Sequence, residues 1–147
     1  MRNASALPLA LSLCCLAGPA FADKPPLDCG KKSLATAAND AGDQSISFTG
    51  ICSGPIVIRT DGLNLTGVGT AIIDGGGQDA VTVAGAHGVS LANVEVRNGA
   101  NGIVGTNGAH LSLTNVKAHD NRASGISLRT ASSATLSGVA TNHNGLH

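Results

Sequence analysis

Four short segments decide the reading of this chain: LNLTGV at 63–68, VSLANV at 89–94, LSLTNV at 111–116 and ATLSGV at 134–139. Each carries an apolar residue at its first, third and last positions and Gly or Asn at its fifth. They recur at roughly 22 to 26 residues, within the range of stacked solenoid repeats. A second marker keeps the same step: Gly102-Ile103, Gly125-Ile126 and Gly145-Leu146. Two markers in phase make a coincidence of composition a poor explanation.

Each repeat holds three strand-like pieces. In one coil they are 102–104, 111–113 and 116–118; in the next, 126–128, 134–136 and 139–141. Three short strands per coil describe a triangular parallel β-helix of about four coils, an all-β fold. Alternate side chains point inward, so Leu111, Leu113, Val116, Ile126, Leu128 and Leu136 are predicted to stack as a dry aliphatic column. The residue before each third strand is Gly67, Asn93, Asn115 or Gly138. Gly and Asn tolerate left-handed backbone best, which a two-residue corner needs once per coil. Stacked Asn amides there can also bond from coil to coil. These four are therefore structural turn residues.

Other repeats fit less well. A leucine-rich repeat needs a longer leucine spacing and a helical half. The stretch DGGGQDAVT at 74–82 resembles a calcium-binding nonapeptide, but it occurs once and reads more simply as a glycine turn entering the strand 81–83.

Composition excludes several function classes. Nine Lys plus Arg balance nine Asp plus Glu, so there is no basic surplus for nucleic acid. Charged residues make up 12% and apolar ones 42%, which argues against disorder. No apolar run reaches the 18 or so residues of a membrane span.

Residues 1–22 read as a secretory signal peptide: Arg2, an apolar run at 6–16, then Ala20-Phe21-Ala22 before the cut. The mature chain is predicted to start at Asp23 and to be secreted or periplasmic. It keeps two cysteines, Cys29 and Cys52, which in an oxidising compartment form a natural disulfide; two buried free thiols are the alternative. Ser33–Ala41 has apolar residues at helical spacing, with Ser33 as N-cap and Gly42 as stop. A short helix there would close the N-terminal end of the aliphatic column, pinned by the Cys29–Cys52 bond over residues 23–60, with the repeats over 61–147.

Taken together, Cys29, Ser33-Leu34, Gly42-Asp43 and Gly50-Ile51-Cys52 resemble exported bacterial right-handed parallel β-helix proteins of the pectin-lyase-like superfamily. Val57-Ile58, Asp61-Gly62-Leu63-Asn64-Leu65 and Ala71-Ile72-Ile73-Asp74-Gly75-Gly76 carry the same resemblance. It covers nearly all of 24–147 and implies fold far more than function. The superfamily includes pectate and pectin lyases, polygalacturonases, alginate epimerases and phage tailspikes. It implies a polysaccharide-directed protein, lyase- or epimerase-like on acidic glycans in its full-length relatives. A non-catalytic structural or adhesion module is the alternative.

The resemblance places polysaccharide along the first strand of each coil and the loop that feeds it. The outward residues of that strand are Thr82, Val104 and Ser127. None can hold calcium or remove a C5 proton, both of which β-elimination of a polyuronate requires. The loops hold the one constellation with chemistry. Asp120, His119 and Arg122 are the candidate catalytic residues, and Arg97, Asn98 and His143 the candidate substrate-binding ones. Stacking puts Asn98, Asp120 and His143 in one column and Arg97, His119 and Asn142 in the next. A carboxylate beside histidine and arginine can hold a sugar carboxylate and move a proton. The plainer reading is a polar surface loop in which Asp120 pairs with Arg122. Hydrolysis needs facing carboxylates, and Asp120 is the only acid after Glu95.

No cofactor is evident; calcium follows only if the chain acts as a lyase. His87 and His110 bring no nearby acid or thiol, so no metal site is expected. Acidic polysaccharide is the partner that Arg, Asn and His could recognise without aromatic platforms. The last repeat breaks off in mid-coil, which implies either a fragment of a longer protein or end-to-end self-association through an uncapped coil.

Overall fold

The computed structural model describes residues 24–40, 42 and 44–145. The signal segment at 1–22, Ala41 at the end of the expected helix and Leu146 of the last repeat marker lie outside them. Along the chain run β1 (Leu27–Asp28), α1 (Leu34–Asn39), β2 (Ser45–Ser53), β3 (Ile56–Ile58), β4 (Asn64–Asp74) and β5 (Val81–Ala84). They are followed by β6 (Val89–Arg97), β7 (Ile103–Thr106), β8 (His110–His119), β9 (Ile126–Leu128), β10 (Ser133–Ser137) and β11 (Ala140–Asn142). Every strand pair is parallel. One sheet runs β1-β2-β4-β6-β8-β10, with β11 also on β8, and the other runs β3-β5-β7-β9. This is a parallel β-solenoid of about five turns. The repeat count from 61 onward misses one turn because β2 and β3 form the first rung beneath it.

In β2, β4, β6 and β8 the second and third strands of a coil are continuous, not separate as the repeat suggests; in the last coil they stay apart as β10 and β11. β6 and β8 each bend through a corner at Asn93 and Asn115, whose φ angles are 55° and 51°. The Asn115 side-chain amide donates to the Asn93 side-chain oxygen at 3.2 Å. Gly138 closes the column with φ 62°, and a Cβ on it would stand 2.5 Å from Asn115 Oδ1.

Gly67 departs from this scheme. Its φ is not left-handed, and Gly69 (φ 62°) turns the corner instead. The cause is extra chain in β4: Thr66 pairs with Ala92, but the next pair is Ile72 with Glu95. Gly67 is needed for another reason, since a Cβ there would overlap the Asn93 carbonyl oxygen and the Ala71 methyl.

Registry builds the core. Ile46, Leu65, Leu91, Leu113 and Leu136 occupy one column, and Ile56, Val81, Ile103 and Ile126 another. Leu65, Ile56 and Ile103 are fully buried, each burial stabilising by about 1.5–3 kcal/mol. Leu111, Leu113 and Val116 are buried as predicted. Leu128 and Leu136, expected inside, are instead 41% and 53% exposed. They point the right way, but their rung is covered by neighbours on one side only. Val104 is the reverse case: it is in register with Thr82 and Ser127 yet only 2% exposed.

At the other end Ser33 caps α1, its hydroxyl accepting from the Thr36 N–H at 3.3 Å. The helix stops at Asn39, where Asp40 turns to extended backbone. Leu34 and Ala38 are buried together with Phe48 in the same core. Cys29 and Cys52 are bonded, tying the cap to β2.

Two outcomes follow. Cys29→Ser should lower stability by about 3 kcal/mol, the loop-closure value for a span of this length, seen as a shifted midpoint in chemical denaturation. Gly67→Ala should cost more than Gly69→Ala in the same assay. At Gly69 the nearest atom to an added Cβ is Thr49 Oγ1 at 4.0 Å, an ordinary contact, so only the left-handed φ is penalised, by about 1–2 kcal/mol.

Candidate functional site

The outward face of the third strands inherits the same registry. Asp74, Arg97, His119 and Asn142 lie on successive rungs in one column. One residue further on, Asn98, Asp120 and His143 all take left-handed φ, at 55°, 54° and 49°. Both columns expected from the repeat are therefore present. The Arg97–His119–Asn142 column is held by parallel pairing at the usual 4.7–4.9 Å between rungs, and the residues of the other follow it directly at a shared left-handed position.

Within them the charged side chains form a string. Arg97 Nε lies 3.7 Å from Asp74 Oδ2, and its NH1 lies 3.4 Å from Glu95 Oε1. Glu95 in turn meets His119 Nε2 at 2.9 Å, and His119 Nδ1 meets Asp120 Oδ2 at 2.7 Å. Asn98 Nδ2 donates to Asp74 Oδ2 at 2.7 Å, and Asp74 Oδ1 accepts from the Gly76 N–H at 3.0 Å. His119 is the most enclosed member, with 16% of its side chain exposed, and Asp120 the most open at 55%.

The string brings together Arg97, Asn98, His119 and Asp120. It does not bring Arg122, whose NH2 donates to the Gly77 carbonyl at 2.6 Å. The expected surface pairing of Asp120 with Arg122 is thus replaced by Asp120 with His119. The adjacent residue wins because the left-handed corner turns Asp120 back toward its own strand. His143 continues the Asp120 column but has no polar partner among the described residues.

Sequence reasoning missed Asp74 and Glu95. A signal existed for both. Glu95 and Arg97 are two apart on one strand and so share a face, and Asp74 sits one repeat before Arg97. Asp74 also opens the glycine turn at 74–77, which hides its place in the column.

Chemically, a neutral imidazole carries one N–H, whereas His119 faces a carboxylate at each ring nitrogen. Both contacts are hydrogen bonds only when a further proton is shared along Glu95–His119–Asp120. The string is thus a place where a proton can be held and moved. Its carboxylates outnumber its cations, so it is net acidic. They are strung along the strand and do not converge. Among the described residues no group of three or more His, Cys, Asp or Glu side chains is arranged to hold a metal ion. Calcium coordination does not fit this arrangement. His87 and His110 stack with ring centroids 4.9 Å apart and gather no third ligand.

A second polar array runs inside the corner. Asn101 and Asn121 are buried. Asn101 donates to Asp79 at 2.8 Å and accepts from the Ser124 N–H; Asn121 donates to Asn144 at 3.0 Å. These bonds satisfy the backbone where the loops cross the core and set the position of the ridge above.

No helix among the described residues is long and apolar enough to cross a membrane. No curated protein and no solved structure matches the chain. The family described as right handed beta helix region matches over residues 56–147, more than half of the chain. With its parallel rungs and in-register columns, the chain belongs to the right-handed β-helix family.

Proposed function

We propose that this is an exported, polysaccharide-directed β-helix protein of the pectin-lyase-like kind, and that it engages acidic glycan along the ridge of Arg97, Asn98, His119 and Asp120. The observation that carries the reading is His119 held between Glu95 and Asp120, with Arg97 on the adjoining rung. Lyases and epimerases acting on uronates share a first step, removal of the C5 proton. Asp120, exposed and backed by His119, is the group that would take it. Arg97 would face the sugar carboxylate, with Asn98 contacting hydroxyls. Rungs repeat at about 4.7–4.9 Å, close to the length of one sugar unit in an extended chain. Export is supported by the leader-like pattern at 1–22 and by the Cys29–Cys52 bond, since disulfides persist outside the cytosol.

One observation favours the second reading, a structural or adhesion module without turnover. The in-register first-strand positions Thr82, Val104 and Ser127 carry no acid or base, and Val104 is only 2% exposed; Arg97, already paired with Asp74 and Glu95, would have to be won from them by a uronate in either reading. Fold alone does not decide between them.

The test uses polygalacturonate and alginate as probes, with two readouts: binding by calorimetry and the ultraviolet absorbance of unsaturated uronate ends. His119→Ala should weaken binding about tenfold or more, as loss of charge-assisted hydrogen bonds implies. If turnover occurs, Asp120→Asn should abolish it with little effect on binding. Binding without turnover leaves the module; absence of binding to either polymer removes the acidic-glycan reading.

A further inference from the structure

The chain contains four Asn–Gly bonds, at 98–99, 101–102, 107–108 and 144–145. This dipeptide is intrinsically unstable, because an unhindered glycine nitrogen can attack the preceding amide. The loss requires two freedoms: the glycine N–H must leave its hydrogen bond, and the Asn side chain must be able to swing onto it.

In all four, the glycine N–H is held by a neighbouring coil. Gly99 donates to Asn121 Oδ1 at 2.9 Å, and Gly102 to the Ser124 carbonyl at 2.9 Å. Gly108 donates to the Thr130 carbonyl at 2.8 Å, and Gly145 to the Asn121 carbonyl at 3.0 Å. Three of the Asn side chains are clamped as well. Asn98 donates to Asp74, Asn101 to Asp79 while accepting from Ser124, and Asn144 to the Ala118 carbonyl while accepting from Asn121.

Asn107 differs in its free side chain and in the turn that supplies the clamp on its glycine. Its side chain is exposed and makes no hydrogen bond among the described residues. The clamp on Gly108 is the carbonyl of Thr130, in a turn of the last rung where Thr130 and Ala131 have φ of 51° and 60°. Consecutive left-handed residues without glycine, one of them β-branched, are strained.

We propose that Asn107–Gly108 is a spontaneous deamidation and isoaspartate site, while coil stacking protects the other three. Gly108 N loses its proton and bonds to Asn107 Cγ, and Nδ2 leaves as ammonia. Water then opens the cyclic imide at either carbonyl, giving Asp or an isoaspartyl link in which the main chain passes through Cβ. No electron transfer is involved. The product adds a negative charge and, in the isoaspartyl form, one backbone carbon to the corner that joins β7 to β8. Because β8 carries His119, the change alters the registry that holds the ridge.

The experiment is incubation of the folded full chain at mildly alkaline pH, with peptide mass mapping and isoaspartyl methylation over time. A reduced, urea-unfolded sample runs in parallel. Folded protein should convert Asn107 at least about tenfold faster than Asn98, Asn101 or Asn144, as local opening governs access. The unfolded chain should convert all four at comparable rates. The proposal is overturned if another Asn keeps pace with Asn107 in the folded sample. It is equally overturned if Asn107 leads by the same factor when unfolded, because the order would then be set by local sequence.

Discussion

Everything in this molecule depends on parallel, in-register stacking of one coil on the next. A single coil cannot bury its apolar side chains; each Leu or Ile is covered from above and below by its own equivalents. Ile46, Leu65, Leu91, Leu113 and Leu136 illustrate the point. The interior members are nearly inaccessible to water, and Leu136 is half exposed. Stability in such a structure is a sum of nearest-neighbour interfaces. The α1 cap matters for the same reason, since Leu34 and Ala38 take the place of a preceding coil over Phe48.

Stacking also makes demands on the corners. A chain that bends around a narrow triangle needs left-handed residues at fixed points, and it needs partners for polar groups turned toward the interior. Asn meets both demands. Asn93 and Asn115 turn the outer corner and bond to one another; Asn101 and Asn121 are buried where loops cross the core, with their amides satisfied. An unpaired amide in those positions would cost about 1–3 kcal/mol, so the ladders are conditions of the fold.

The candidate site is a by-product of the same registry. Side chains separated by a full repeat become neighbours on the surface, and the string from Asp74 to Asp120 crosses three rungs. Its pairings keep its members oriented while leaving Asp120 in solvent. That combination of fixed imidazole and open carboxylate is the chemical content of the ridge.

Repeat spacing, inward alternation, the Asn corners, the Ser33 cap and the Cys29–Cys52 pair are all legible in the chain, because each is set by local geometry or by a period. The columns Arg97–His119–Asn142 and Asn98–Asp120–His143 were legible for the same reason. What the sequence could not show was how irregularities resolve. The extra residues in β4 moved the corner from Gly67 to Gly69, and the backbone of the next coil made Gly67 indispensable. Asp120 turned to His119 while Arg122 reached across to Gly77. Asp74 and Glu95 entered the site through contacts between rungs. By itself, the sequence determined the period and hence which residues share a column. The tertiary structure alone decided which members of adjacent columns touch, because that depends on corner geometry and side-chain reach, and neither has a period.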